Sequence, residues 1–121
     1  MENKTVIITG ASSGIGKEIA KYFIERSSNV VMNSSNEENL RKSYEELGAP
    51  SNAIYLAGDI SKKVTSDKLA CLALEKFKSI DVLINNAGVF SPKPFLEVEE
   101  KDLEFYWNIN LKGTYFASQA V

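Results

Sequence analysis

Four short apolar runs alternate with four stretches of helical spacing along the 121 residues, and this alternation restricts the fold more than any other feature. The runs are Lys4–Thr9 (KTVIIT), Asn29–Asn33 (NVVMN), Ala53–Ala57 (AIYLA) and Asp81–Asn85 (DVLIN). Each precedes a segment whose apolar residues fall on one helical face. Ile15–Arg26 carries Ile15, Ile19, Tyr22 and Phe23, and Glu37–Leu47 carries Leu40, Tyr44 and Leu47. Lys63–Phe77 carries Leu69, Leu72, Ala73 and Phe77, and Glu99 to the end reads as one long helix. The result is an α/β chain with a parallel sheet covered on both faces. The near-continuous apolar cores VII, VVM and VLI suit strands buried on both sides. No repeat, low-complexity stretch or linker divides the chain, so residues 1–121 read as a single domain.

The first strand runs into Thr9-Gly10-Ala11-Ser12-Ser13-Gly14-Ile15-Gly16, directly before the first helix. Gly10 can make the tight turn, Gly14 can let a diphosphate approach the backbone, and Gly16 can let the helix pack on the sheet. The helix N-terminus then offers free N–H groups and a partial positive charge, and Ser12 and Ser13 add hydroxyl donors. A P-loop register ending at Gly16-Lys17 would need glycine at 11 and Ser or Thr at 18. Ala11 and Glu18 stand there, which disfavours magnesium-dependent nucleotide hydrolysis.

Composition narrows the chemistry. There is no histidine, so the commonest metal ligand and general base are missing. The single Cys71 excludes disulfide frameworks and cysteine-rich zinc sites, and it reads as a small buried or half-buried apolar residue. No metal site is expected. Net charge is -2 and the 14 basic residues do not cluster, so no nucleic-acid partner is expected. No apolar run approaches the ~20 residues that span a bilayer, and MENKTVIITG reaches a strand at once, without a signal peptide. These features give the expectation of a soluble, cytoplasmic protein with no membrane partner.

Asn85-Asn86-Ala87-Gly88 follows the fourth strand, Asp59-Ile60 follows the third, and Asn108-Ile109-Asn110-Leu111-Lys112-Gly113 lies in the last helix. With Thr9–Gly16, these segments closely resemble the N-terminal half of a short-chain dehydrogenase/reductase, over essentially the whole chain. The resemblance implies a Rossmann-type doubly wound parallel sheet, truncated relative to the seven-stranded family fold. It implies an NAD(P) cofactor and hydride transfer between it and a small alcohol or carbonyl substrate. Gly10, Ser12, Ser13, Gly14, Ile15 and Gly16 match the diphosphate cradle, and Asn33, Ser34 and Ser35 the adenosine-ribose end. Asp59 matches the family aspartate that bonds the adenine amino group, with Ile60 beside the ring. Asn86, Ala87 and Gly88 match the segment lining the ribose. Asn110 matches the catalytic-group asparagine that helps hold a water in the proton relay. Family members are often homo-oligomers through helices that include Glu99–Val121.

Independent reasoning supports part of this. Right-handed crossovers give the strand order 3-2-1-4, with reversal between strands one and four. Ligands bind outside the carboxyl ends of strands at such a switch point, where Gly10–Gly16 and Asn86–Gly88 should face each other. The second strand ends in Asn33-Ser34-Ser35 with no acid, so a 2′-phosphate would meet no carboxylate; the lean is to NADP over NAD, although a loop indifferent to the phosphate fits as well. Asp59 could instead cap the next helix with Ser61. Asn110 shares a stripe with Leu103, Trp107, Leu111 and Thr114, and a polar amide there needs a partner, either in the relay or in nearby backbone. The loop Val89–Val98, with Phe90, Pro92, Pro94 and Phe95, either borders the pocket or packs on the sheet.

The chain departs from the family at the chemistry. The family uses a Ser and a Tyr-x-x-x-Lys pair, in which the lysine and cofactor charge lower the tyrosine pKa. Here Tyr22 leads to Arg26, Tyr44 to Gly48, Tyr55 to Asp59, Tyr106 to Asn110 and Tyr115 to Gln119. The 121 residues alone are therefore expected to be inactive. The fourth strand, interior in the family, becomes an unpaired edge, so a poorly stable chain or one completed by another chain is expected. Two other classes compete. One is a dinucleotide-binding or partner-completed fragment without turnover. The other is a phosphoacceptor signalling domain, which fits Asp59 but lacks an acidic cluster after the first strand.

Overall fold

The computed structural model describes residues 1–121. Strands β1 (Thr5–Ile8), β2 (Asn29–Ser34), β3 (Ala53–Ala57) and β4 (Val82–Ile84) form one parallel sheet in the order β3-β2-β1-β4. Helices α1 (Gly14–Ile24), α2 (Glu37–Glu46) and α3 (Lys63–Phe77) connect them. After β4 an extended loop leads through a short 3-10 turn (Phe95–Glu97) to α4 (Glu100–Tyr106), a π-helical segment (Trp107–Lys112) and α5 (Gly113–Ala120). The expected long helix from Glu99 is thus interrupted by wider turns at Trp107–Lys112, a feature frequent at functional sites.

Two apolar clusters sandwich the sheet. On one face Val6, Ile8, Val30, Met32 and Ala53 meet Ala11, Ala20 and Leu40; on the other Ile7 and Val31 meet Leu69, Ala73, Ile60 and Ala117. The alternation along β1 and β2 follows from the period of two in a strand, and both faces are covered, as the all-apolar runs required. β3 and β4 are only partly buried, and β4 pairs with β1 alone. Three expectations change here. The buried face of α1 is Gly16 and Ala20, with Ile19 and Phe23 packed beside them, while Ile15 and Tyr22 are exposed. Cys71 is exposed, because Leu69, Ala70 and Ala73 hold the buried face of α3. Leu103, Trp107 and Leu111 are exposed, so their stripe is a surface rather than core. No helix is long and apolar enough to cross a membrane.

The short β4 is pinned to β1 by Asp81. Its carboxylate accepts from Thr5 N at 2.8 Å, from Ser79 Oγ at 3.0 Å and from Lys4 Nζ at 3.3 Å, while Asp81 N donates to Thr5 O at 2.9 Å. The Thr5 N–H, then the Ser79 hydroxyl and Lys4, hold the Asp81 carboxyl below its ordinary range. A carboxyl whose pKa falls on folding stabilises the fold above its unfolded value, and loses that contribution as pH falls through the folded one. Asp81→Asn is therefore expected to melt earlier than wild type at neutral pH. The gap should close as pH drops below ~4, the ordinary carboxylate range; Tm measured against pH checks this.

Candidate functional site

A groove of about 600 Å³ follows the carboxyl ends of the four strands. Gly58, Asp59 and Ile60 line it after β3, and Asn33, Ser34 and Ser35 at the end of β2. Gly10 and Ser12–Ile15 line it after β1, Asn86–Val89 after β4, and Phe105 and Ile109 enter from the last helical stretch. Of the candidate diphosphate, ribose, adenine and relay residues, all but Gly16 and Asn110 border this groove.

The turn after β1 needs its glycines for different reasons. Gly10 has φ +65, and a Cβ there would lie 2.9 Å from Ala87 Cα. Gly16 packs the start of α1 against the Gly10 carbonyl and the Asn86 amide, leaving no volume for a side chain. Gly14 has φ +53 yet faces open space, with no atom within 4 Å of where a Cβ would stand. The amides of Ser12, Ser13, Gly14, Ile15 and Gly16 find no backbone acceptor. The Ser13 side chain makes no capping bond. Free N–H groups, open volume and the positive end of a helix dipole together fit a diphosphate.

The turns after β1 and β4 are locked together. Thr9 Oγ1, buried, accepts from Asn86 N at 3.1 Å and Ala87 N at 3.0 Å. Asn86 Nδ2 donates back to Thr9 O at 3.2 Å and Gly10 O at 3.0 Å. The Asn86 amide therefore braces the crevice wall, and only the backbone of Asn86–Gly88 is left to face a ligand. Thr9 carries half of this lock; the motif contains the residue, but its partners lie 77 and 78 residues away and are not visible in the sequence.

At the β2 end the expected donor set is smaller than the sequence suggested. Asn33 is buried, and its Nδ2 donates to Leu56 O at 3.0 Å and Gly58 O at 3.3 Å, so its N–H groups tie β2 to the chain after β3 and are not free to donate to a ribose. Ser34 Oγ donates to Ser12 Oγ at 2.9 Å, joining the two loops, and Ser43 Oγ donates to Ser12 O. Ser35 is exposed and makes no side-chain bond. Asp59 Oδ1 accepts from Ser61 N at 2.9 Å and Ser61 Oγ at 2.7 Å, so it shapes the turn before α3; it does not cap that helix, whose N-cap is Lys62 with no side-chain capping bond. Burial pushes its pKa up, but the Ser61 hydroxyl and N–H, with Lys62 and Lys112, leave it below the ordinary value. Asp59 is thus a carboxylate at neutral pH, able to accept from a ligand N–H. Ile60 is 5% exposed and packs under Gly113, showing only an edge to the groove.

Asn110 faces backbone: Oδ1 accepts from Val89 N at 2.7 Å and Nδ2 donates to Val89 O at 2.9 Å. This is the structural alternative for its amide. Phe90 and Phe95 are 83% and 90% exposed, so the loop does not pack on the sheet. Lys42, not signalled by any motif, joins Lys17 on the rim of a polar pocket of about 340 Å³ that shares Ser12, Ser13 and Gly14 with the groove. Lys17 pairs with Glu46.

The sequence matches the short chain dehydrogenase family model over residues 4–121. It is 40% identical over 121 residues to a diacetyl reductase [(S)-acetoin forming] of Staphylococcus epidermidis, covering 98% of this chain and 46% of that one. It is 38% identical to an L-rhamnose-1-dehydrogenase of Scheffersomyces stipitis, covering 99% and 48%. Among solved structures, a short-chain dehydrogenase/reductase (glucose/ribitol dehydrogenase) from Brucella melitensis superposes with TM-score 0.95 at 33% identity, covering 99% of this chain and 51% of that one. A 3-ketoacyl-(acyl-carrier-protein) reductase from the same organism, complexed with NADH, gives TM-score 0.91 at 32% identity, covering 98% and 48%. The chain spans about half the length of the curated relatives it matches. Strand order, the locked β1 and β4 turns and this match agree, and the chain belongs to the short chain dehydrogenase family.

Proposed function

We propose that this chain is the NAD(P)-binding part of an oxidoreductase that interconverts an alcohol and a carbonyl. The observation that carries the reading is the set of free amides at Ser12–Ile15 opening on the groove, where Gly14 has an empty Cβ position. Ser12–Ile15 hold the diphosphate through backbone N–H groups and the α1 dipole. Ser35 and the Asp59 carboxylate take the adenosine side, and Asn86–Gly88 and Val89 line the other half. The bound cofactor supplies the hydride. The residues here bind and orient it, while the proton-transferring Tyr-x-x-x-Lys pair does not occur in the 121 residues. NADP is favoured over NAD. The end of β2 carries no acid, and Lys42, which forms no salt bridge, stands on the rim next to Ser12 and Ser13.

Calorimetric titration with NADPH and NADH tests this. Saturable binding of both, tighter for NADPH, is expected. Lys42→Ala should weaken NADPH about tenfold, the worth of one charge-assisted hydrogen bond, and leave NADH unchanged; equal loss of both would remove the NADP preference. A second reading, binding without turnover, rests on the missing Tyr/Lys spacing. NADPH consumption with diacetyl, the substrate for which the S. epidermidis relative is named, tests the absence of turnover, and consumption by the 121 residues would reject it. Binding without consumption by the 121 residues is the expected result.

A further inference from the structure

The segment after Gly88 is held in an unusual way. Val89, Phe90 and Ser91 make no backbone–backbone hydrogen bond. Every backbone bond they do make goes to two side chains of the last helical stretch. Asn110 takes both polar groups of Val89, as described above. Tyr106, one turn earlier, takes both of Ser91: its Oη accepts from Ser91 N at 3.0 Å and donates to Ser91 O at 2.6 Å. Side chains at i and i+4 on a helix stand about 5–6 Å apart, close to the two-residue repeat of about 6.6 Å in an extended segment. Tyr106 and Asn110 thereby pair with the loop as a neighbouring strand would. Phe90, the residue between, points out to solvent, 83% exposed.

The held segment matters for the groove. Gly88 and Val89 form its wall at the β4 end, opposite Ser34 and Ser35. In a dinucleotide fold the end of β2 takes the adenosine ribose, so the β4 end faces the part of the cofactor beyond the diphosphate. Nothing in the motifs pointed to Tyr106. We propose that Tyr106 is a positioning residue: its hydroxyl, together with Asn110, fixes the Gly88–Ser91 wall and so sets the fit of the nicotinamide half of the cofactor. This rests on the dinucleotide-binding reading.

Tyr106→Phe removes the hydroxyl and keeps the ring. Affinities for the reduced dinucleotide and for ADP-ribose, which lacks nicotinamide, are measured on wild type and variant, along with amide hydrogen exchange at Val89 and Ser91. The variant should bind the dinucleotide about five- to tenfold more weakly, the range of one lost hydrogen bond. It should bind ADP-ribose within about twofold of wild type, inside the effect of a single weak bond, and its Ser91 amide should exchange faster. Equal losses for both ligands would mean a merely structural role and overturn the proposal. Unchanged dinucleotide affinity would overturn it as well. Wild type that binds neither ligand would refute the dinucleotide reading and this role with it, and the exchange data would still report whether Tyr106 holds the loop.

Discussion

Replacing Gly16 by alanine is expected to lower the melting temperature by about 10 °C and to abolish dinucleotide binding. The added Cβ would overlap the Gly10 carbonyl oxygen and Asn86 Nδ2, and lie 2.9 Å from Gly10 C. These are a backbone group and a side chain already fixed by two hydrogen bonds, so neither yields freely. Overpacking at such a contact costs about 3 kcal/mol, the upper part of the usual range. The clash also pushes apart the two turns that face each other across the crevice. Gly14→Ala supplies the contrast. Its Cβ meets nothing, so only the left-handed φ of +53 is penalised, at about 1 kcal/mol. That methyl group enters the open volume beside the free amides, so binding should be lost while the fold survives. Thermal melting and ligand titration of the two variants, read together, separate packing from recognition.

Thr9→Val should also destabilise the fold, though less than Gly16→Ala. Valine has the shape of threonine but leaves Ala87 N without an acceptor and Asn86 N with Ile84 O alone. Thr9 is 1% exposed, so water cannot readily replace the hydroxyl. Orphaning a buried donor costs about 1–3 kcal/mol, so the loss of this one lowers stability by about 2 kcal/mol. Thr9→Ser keeps the oxygen and should recover most of the loss. Denaturant unfolding of the three proteins measures the difference. If Val and Ser behave alike, the hydroxyl is not what joins the β1 and β4 turns.

These variants also mark where sequence reading succeeded and where it stopped. Strand order followed from alternating segments and right-handed crossovers, since both are set by local periodicity and chain handedness. The glycine turn was legible because positive φ and close approach leave few choices at Gly10, Gly14 and Gly16. What sequence could not give was which polar groups fold against each other. Asn33 and Asn86 were expected at the ribose ends of the groove and line it, but their Nδ2 groups donate to the Leu56, Gly58, Thr9 and Gly10 carbonyls. Tyr106 lies in no motif, and Thr9 opens one whose spacing does not show its partners, because their bonds join segments distant in the chain. Periodicity fixed the spacing on α1 but not the side that faces the sheet. Gly16 and Ala20 pack closely there, which turns Ile15 and Tyr22 outward. The same limit hid the exposure of Cys71.

The central claim is that the free amides after β1 bind a dinucleotide diphosphate within the groove along the strand ends. Amide chemical-shift mapping during titration with NADPH tests it most directly. The largest shifts are expected at Ser12–Gly16, smaller ones at Ser35, Asp59 and Asn86–Val89, and none on the outer face of α3 around Cys71. A folded chain whose Ser12–Gly16 amides do not move at saturating NADPH would contradict it.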